Sequence, residues 1–301
     1  MKVLVGFDDS EGAWDAIALV GVLRGFVSVE AHLLRVVAEE DALATPYRVL
    51  GSGHFPEANP LELATEALAG MEVATSSYTG SSPAHVLHDV AESEGAELVV
   101  IGSPHRGALG RTFLGSVGEA LLHGAPCPLL VAPRGFAAKA HKRPRSVAIA
   151  YDGTQESKLA LKYAEALPAA AGARLRVFTV LAPAVPMPSP VGYVPALGFE
   201  PAKLIEEAID GVQGVEVEGQ QLAGSPAAAL AGACEEHVDL LVAGSRGYGP
   251  LGRVFAGSVT SSLICRAPCP VLIVPRSKDA EGDEPRESLA AATEREGAAR
   301  R

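Results

Sequence analysis

Gly244-Ser245-Arg246-Gly247, followed after nine further residues by Gly257-Ser258, is the stretch on which the reading of this chain turns. Before it, Leu240-Leu241-Val242-Ala243 is an apolar run short enough for a strand buried on both faces. After it, Val259, Ser262 and Leu263 recur at helical spacing. The stretch therefore reads as a strand end, a glycine-rich loop and a helix start. Glycine lets backbone approach an anion because no Cβ intervenes, and a helix N-terminus adds free N–H groups and the positive end of a dipole. Gly244, Ser245, Arg246, Gly247, Gly257, Ser258 and Val259 are accordingly candidate phosphate contacts.

The same stretch occurs twice. Gly102-Ser103-Pro104-His105, then Gly115-Ser116, stands 142 positions earlier, and at that offset Gly107, Leu109, Gly110, Arg111 and Phe113 match Gly249, Leu251, Gly252, Arg253 and Phe255. The register continues into Ala125-Pro126-Cys127-Pro128 and Ala267-Pro268-Cys269-Pro270. A unit this long, present twice, is a duplicated domain and not a solenoid element. The 301 residues divide into a first domain (1–134), a basic connector (135–145) expected to be solvated, a second domain (146–276) and a charged, Ala-rich tail (277–301) expected to be mobile.

Composition narrows the function classes. The net charge of −11 argues against a broad nucleic-acid surface. No apolar run approaches the roughly 18 residues of a membrane span. Asp8 follows Lys2 too closely for a signal peptide, so a cytoplasmic protein is expected. Cys127, Cys234, Cys265 and Cys269 have no metal-ligand spacing and are expected to be buried thiols. His85, His88, His123 and His237 are likewise unpaired, and no metal site is expected.

In chain order, residues 3–7 read as a strand, Asp8-Asp9-Ser10 as a turn, and Trp14, Ile17, Ala18 and Gly21 as a helical stripe. Residues 29–37 and 73–78 read as strands and 61–68 as a helix; 41–60 is a long Pro- and Gly-containing loop. Ser82-Pro83 opens a helix with Leu87, Val90 and Ala91 inward. Residues 98–101 lead to the first glycine loop; a helix from Ser116 and a strand over 129–132 close the unit. Ser116 with Glu119 fits a capping box. The second copy repeats this plan from residue 147 to 274, with Asp152-Gly153-Thr154 as its first turn. Alternating strands and helices predict parallel sheets with ligands at the carboxyl ends of the strands.

Gly247, Gly249 and Gly252 satisfy a dinucleotide fingerprint, but Pro250 interrupts it and no acidic residue stands about 20 positions on. A Gly-Lys-Ser/Thr triplet is absent, which argues against a P-loop enzyme. Sequence spacing names no general base beside a nucleophile in either copy, so a regulator is expected in preference to a catalyst.

The pattern Gly-x2-Gly-x9-Gly-Ser/Thr, with an Asp after the first strand and Ala-Pro-Cys-Pro-Val-Leu behind it, resembles the universal stress protein family over nearly the whole chain. The resemblance implies two five-stranded, parallel, Rossmann-like α/β domains, similar to adenine nucleotide alpha hydrolases, with helices on both faces. It implies ATP or another adenine nucleotide, with magnesium as its companion ion. By position the nucleotide would be held by Asp152, Val180, Gly244, Gly247, Gly257 and Ser258. The first copy offers Asp8, Val36, Gly102, Gly115 and Ser116, but His105 replaces its second motif glycine and Pro104 donates no N–H, so that site is expected to be degenerate. Members of the family pair through their last strand, which implies that residues 129–132 and 271–274 join the two domains about a pseudo-twofold. A homodimer of the whole chain, a nucleotide-free scaffold of the same fold, and an electron-transfer-flavoprotein-like or adenylating relative remain as alternatives.

Overall fold

A computed structural model describes residues 1–37, 59–103, 114–140, 144–181, 200–235, 237–245 and 258–275. The long loop read at 41–60, residues 182–199 of the second copy, most of both glycine loops and the tail lie largely outside them. The first half runs β1 (Lys2–Gly6), α1 (Glu11–Leu23), β2 (Glu30–Val37), α2 (Pro60–Ala67), β3 (Glu72–Thr79), α3 (Pro83–Glu94), β4 (Leu98–Gly102), α4 (Gly115–Gly124) and β5 (Leu129–Ala132). The second runs β6 (Ser146–Ala150), α5 (Gln155–Ala171), β7 (Arg174–Leu181), α6 (Pro201–Asp210), β8 (Val217–Ala223), α7 (Pro226–Cys234), β9 (Leu240–Gly244), α8 (Ser258–Ile264) and β10 (Val271–Val274).

The ten strands form one sheet in the order β3-β2-β1-β4-β5-β10-β9-β6-β7-β8. Within each half every neighbouring pair is parallel. The halves meet at one antiparallel pair, where Val131, Leu130 and Leu129 of β5 stand opposite Val271, Leu272 and Ile273 of β10. All eight residues of these two strands are buried.

Successive strand residues point to opposite faces, and two cores result. Val3, Val5, Leu98, Val100, Val147, Ile149, Leu240 and Val242 pack under α1, α2, α5 and α6. Leu4, Val99, Ile101, Ala148, Leu241 and Ala243 pack under α3, α4, α7 and α8. Each core runs across both halves. At the sheet margins β3 and β8 are half-exposed and polar, in keeping with strands at the two ends of a sheet.

Three expectations need correction, and a fourth, the solvated connector, gains a detail. The stripe on α1 is rotated: Gly12, Ala13, Ala16, Ile17, Leu19, Val20 and Leu23 are buried, whereas Trp14, Ala18 and Gly21 are only partly so. Trp14 is drawn to the side of the helix by an edge-to-face contact with Phe7 (5.4 Å) and an Nε1–H bond to Asp9 (3.1 Å). The connector is exposed at Gly135, Ala137, Ala138, Lys139 and Arg145, as a solvated segment is, and its backbone is nonetheless anchored. The buried Asp15 carboxylate accepts from the backbone N–H of Gly135 (2.7 Å) and Ala137 (2.8 Å), and Phe136 packs against the first core. At its far end Asp239 accepts from the N–H of Arg145 (2.6 Å) and Ser146 (3.0 Å). Ser116 is not a cap, because α4 starts at Gly115 and Leu114 takes the N-cap position without a side-chain bond. Cys265 is half-buried while the other three thiols are buried. Desolvation raises its pKa, and the Glu119 carboxylate of the opposite half adds to the shift.

Candidate functional site

The first turn of each half is built identically. Asp152 Oδ1 accepts from Thr154 N–H (3.1 Å) and Oγ1–H (2.6 Å), and Thr154 Oγ1 in turn accepts from Ser157 N–H (3.2 Å) to cap α5. Asp8 Oδ1 accepts from Ser10 N–H (3.1 Å) and Oγ–H (2.5 Å), and Ser10 Oγ caps α1 through Ala13 N–H (3.2 Å). Between acid and hydroxyl the chain passes through the left-handed region, as Gly153 (φ +77°) in one half and Asp9 (φ +62°) in the other. A Cβ on Gly153 would also lie 2.7 Å from Leu204 Cδ2 of α6.

Gly244 and Gly102 end their strands against the helix that follows this turn. A Cβ on Gly244 would lie 2.9 Å from Glu156 Cβ and 3.0 Å from its carbonyl carbon, and one on Gly102 would fall on the backbone of Gly12. These glycines are therefore required by helix–strand packing whatever binds nearby. The close approach sets the Asp152 turn beside the end of β9, since Ala150 pairs with Ala243. Thr260 Oγ1–H donates to Gly244 C=O (3.4 Å), which ties the first turn of α8 to the same strand end. The backbone N–H of Ser245 is already engaged with Val274 C=O (2.9 Å), and that of Ser103 with Ala132 C=O (2.9 Å). Neither amide is a spare donor for an anion.

Val180 and Val36 are half-buried on the next strands out, β7 and β2, and pack against the second core. Tyr151, just before Asp152, is buried; desolvation pushes its phenol pKa up, with the Glu207 and Asp152 carboxylates adding to the shift. Its carbonyl accepts from the buried Thr179 Oγ1–H (3.0 Å). In the first half, Gly115 enters α4 with φ +77°, a conformation that favours glycine there, and Ser116 is exposed. Val259 is half-buried against the second core. Arg246, Gly247 and Gly257, like Pro104 and His105, lie outside the described residues. Asp152, Gly244, Val180 and the start of α8 thus gather at the carboxyl ends of adjacent strands, where open parallel sheets bind ligands. Among the described residues no group of three or more His, Cys, Asp or Glu side chains is placed to hold a metal ion, and no helix is long and apolar enough to cross a membrane.

The family model described as "Universal stress protein family" matches twice, over residues 1–133 and 144–275. The chain belongs to the universal stress protein family. A universal stress protein of Mycobacterium tuberculosis is 29% identical over 215 residues, 68% of this chain and 73% of the relative. One from Thermus aquaticus is 36% identical over 142 residues, 43% of this chain and 98% of that shorter protein. The crystal structure of a universal stress protein from Archaeoglobus fulgidus superposes with a TM-score of 0.68 at 23% identity, covering 92% of this chain and 98% of its own. That likeness establishes the fold: two tandem universal stress units of Rossmann-like α/β architecture.

Proposed function

We propose that this universal stress protein is a cytoplasmic regulator that binds ATP or another adenine nucleotide, chiefly in its second half. The observation that carries the proposal is the gathering of the Asp152 turn, Gly244 and the first turn of α8 at the carboxyl ends of β6 and β9. Asp152 would accept from hydroxyl or amino groups of the nucleotide, and Val180 would line its apolar side. Gly247, Gly257, Ser258 and Arg246 would meet the phosphates. One carboxylate, with no acidic cluster among the described residues, suits a magnesium ion carried in by the phosphates better than one held by a protein-built cage. The antiparallel β5–β10 seam supports reading the chain as a covalent equivalent of a dimer.

A second reading, a scaffold of the same fold without nucleotide, is favoured by one observation: packing alone accounts for Gly102 and Gly244. Mass spectrometry of small molecules released from the purified, denatured protein separates the two. Calorimetry with ATP should then show about one strong site, lost in Gly257→Val, where a side chain would be forced against the phosphates. Two equal sites that survive Gly257→Val would overturn the asymmetric assignment, and no adenine nucleotide by either method would leave the scaffold.

A further inference from the structure

Three side chains of the first half form a connected chain outside the set assigned to the nucleotide. His32 Nδ1 lies 2.7 Å from Glu94 Oε2, and His32 Nε2 lies 2.7 Å from Ser76 Oγ. A carboxylate only accepts, so Nδ1 carries the proton and donates to Glu94. In the neutral ring Nε2 is then the acceptor, and Ser76 Oγ–H donates to it. A hydroxyl, a base aligned on it and a carboxylate orienting that base are the parts of a nucleophilic catalytic unit, recognised by roles and geometry and not by chain order.

The fold holds all three in place. His32 and Leu34 share one face of β2, and Leu34 pairs with Ser76 on β3. Glu94 is the last residue of α3 on that face, and α3 stops there because Gly95 takes the left-handed C-cap conformation (φ +64°). The His32 side chain is 17% exposed and that of Glu94 45%, while Ser76 is partly buried. The base is thus shielded by the sheet and the hydroxyl remains within reach of a small molecule. Among the described residues β3 pairs with β2 alone. Gly80 N–H donates to Val37 C=O. Parallel pairing alternates, so the N–H of Ser77 points to the open side beside the hydroxyl, where it can meet an oxyanion.

The corresponding positions of the second half make the contrast. Arg176 stands in place of His32 and Gln220 in place of Ser76. They are joined by Nη2–H to Oε1 at 3.1 Å, with Arg176 Nε 2.7 Å from Glu218 Oε1. A polar bridge at this point of the sheet therefore needs neither a nucleophile nor a base.

The geometry points to Ser76 as an acyl-accepting nucleophile in a hydrolytic site for small, uncharged, activated carboxylic esters. Ser76 Oγ attacks the ester carbonyl carbon as its proton passes to His32 Nε2. The tetrahedral intermediate then breaks its bond to the alcohol oxygen, which leaves with that proton. Water attacks the acyl-Ser76 ester and gives a proton to Nε2. Collapse breaks the Ser76–acyl bond, returns the proton to Oγ and releases the carboxylic acid. Glu94 is a positioning residue: it holds the ring orientation and stabilises the transient imidazolium. Its charge, and a net charge of −11, disfavour anionic acyl donors such as acyl phosphates.

The test is p-nitrophenyl acetate with the full chain, following nitrophenolate release and mapping acetyl groups by peptide mass spectrometry. A burst of about one acetyl per chain on Ser76, lost in Ser76→Ala, is expected. His32→Gln should slow acylation by about 10²-fold or more, the usual worth of a positioned base. Glu94→Gln should slow it with an unchanged melting temperature, and Glu94→Asp should recover part of the rate. Mapping on the unmodified protein decides the matter even if a variant fails to fold. Acetyl on lysines alone, or a burst that survives Ser76→Ala, overturns the assignment.

Discussion

The two halves share a fold, a first turn and a Pro-Cys-Pro entry to the last strand, yet they differ where chemistry is at stake. At the carboxyl ends of the strands the second half has Gly153 and its glycine loop, while the first has Asp9 in the left-handed region and Pro104-His105 in the loop. On the α3 side the first half carries Ser76, His32 and Glu94, while the second carries Gln220 and Arg176. Both copies have the Asp-hydroxyl turn, the strand-ending glycine that helix–strand packing requires, and the buried apolar last strand.

The seam between the halves gives the largest test of that equivalence. Val131→Asp would place an unpaired carboxylate opposite Val271 in a contact buried on both sides, at a cost of about 3–5 kcal/mol. Scattering should show the halves parted or the urea midpoint sharply lowered; an unchanged shape and midpoint would mean that β5–β10 pairing does not hold the molecule together.

The strand-ending glycines should separate the halves by degree. In Gly102→Ala the new methyl meets backbone of α1, which cannot swing aside, so a loss of about 3 kcal/mol or more is expected. In Gly244→Ala the nearest atom is Glu156 Cβ at 2.9 Å, and a loss of about 1–2 kcal/mol should follow. Equal losses measured by denaturant titration would show the two helix–strand contacts to be equally rigid.

At neutral pH the last effect is the smallest, because it is a slope confined to alkali. Burial pushes the Cys127 thiol from 9.0 to about 12. Cys269 is also raised, first by its hydrogen bond with Cys234 and then by burial, where the first half has Ala91 in place of Cys234. A thiol whose folded pKa is raised contributes stability that is complete below its unfolded pKa and is lost as pH climbs towards the folded one. Stability should therefore fall between about pH 9 and 12, by at most about 1.4 kcal/mol per pH unit for Cys127. Cys127→Ala should flatten this slope without abolishing it, because Cys269 still titrates. An identical pH profile would place Cys127 in water rather than in the core.

The sequence by itself determined the duplication, the strand–helix alternation and the bounds of β5 and β10, and it marked α3 through Ser82, Leu87, Val90 and Ala91. Those features are periodic or local, and periodicity is written residue by residue. It also drew attention to Asp8 and Asp152, whose bonds to the hydroxyl two residues on are local as well. Only the tertiary structure decided that Asp15 grips the connector more than a hundred residues away, that α1 turns its Gly12 face inward to meet β4, and that His32, Ser76 and Glu94 meet. The last three sit on two strands and a helix, 44 and 62 positions from His32. No spacing rule connects them, because their meeting depends on the register of β2 against β3 and on the residue at which α3 stops.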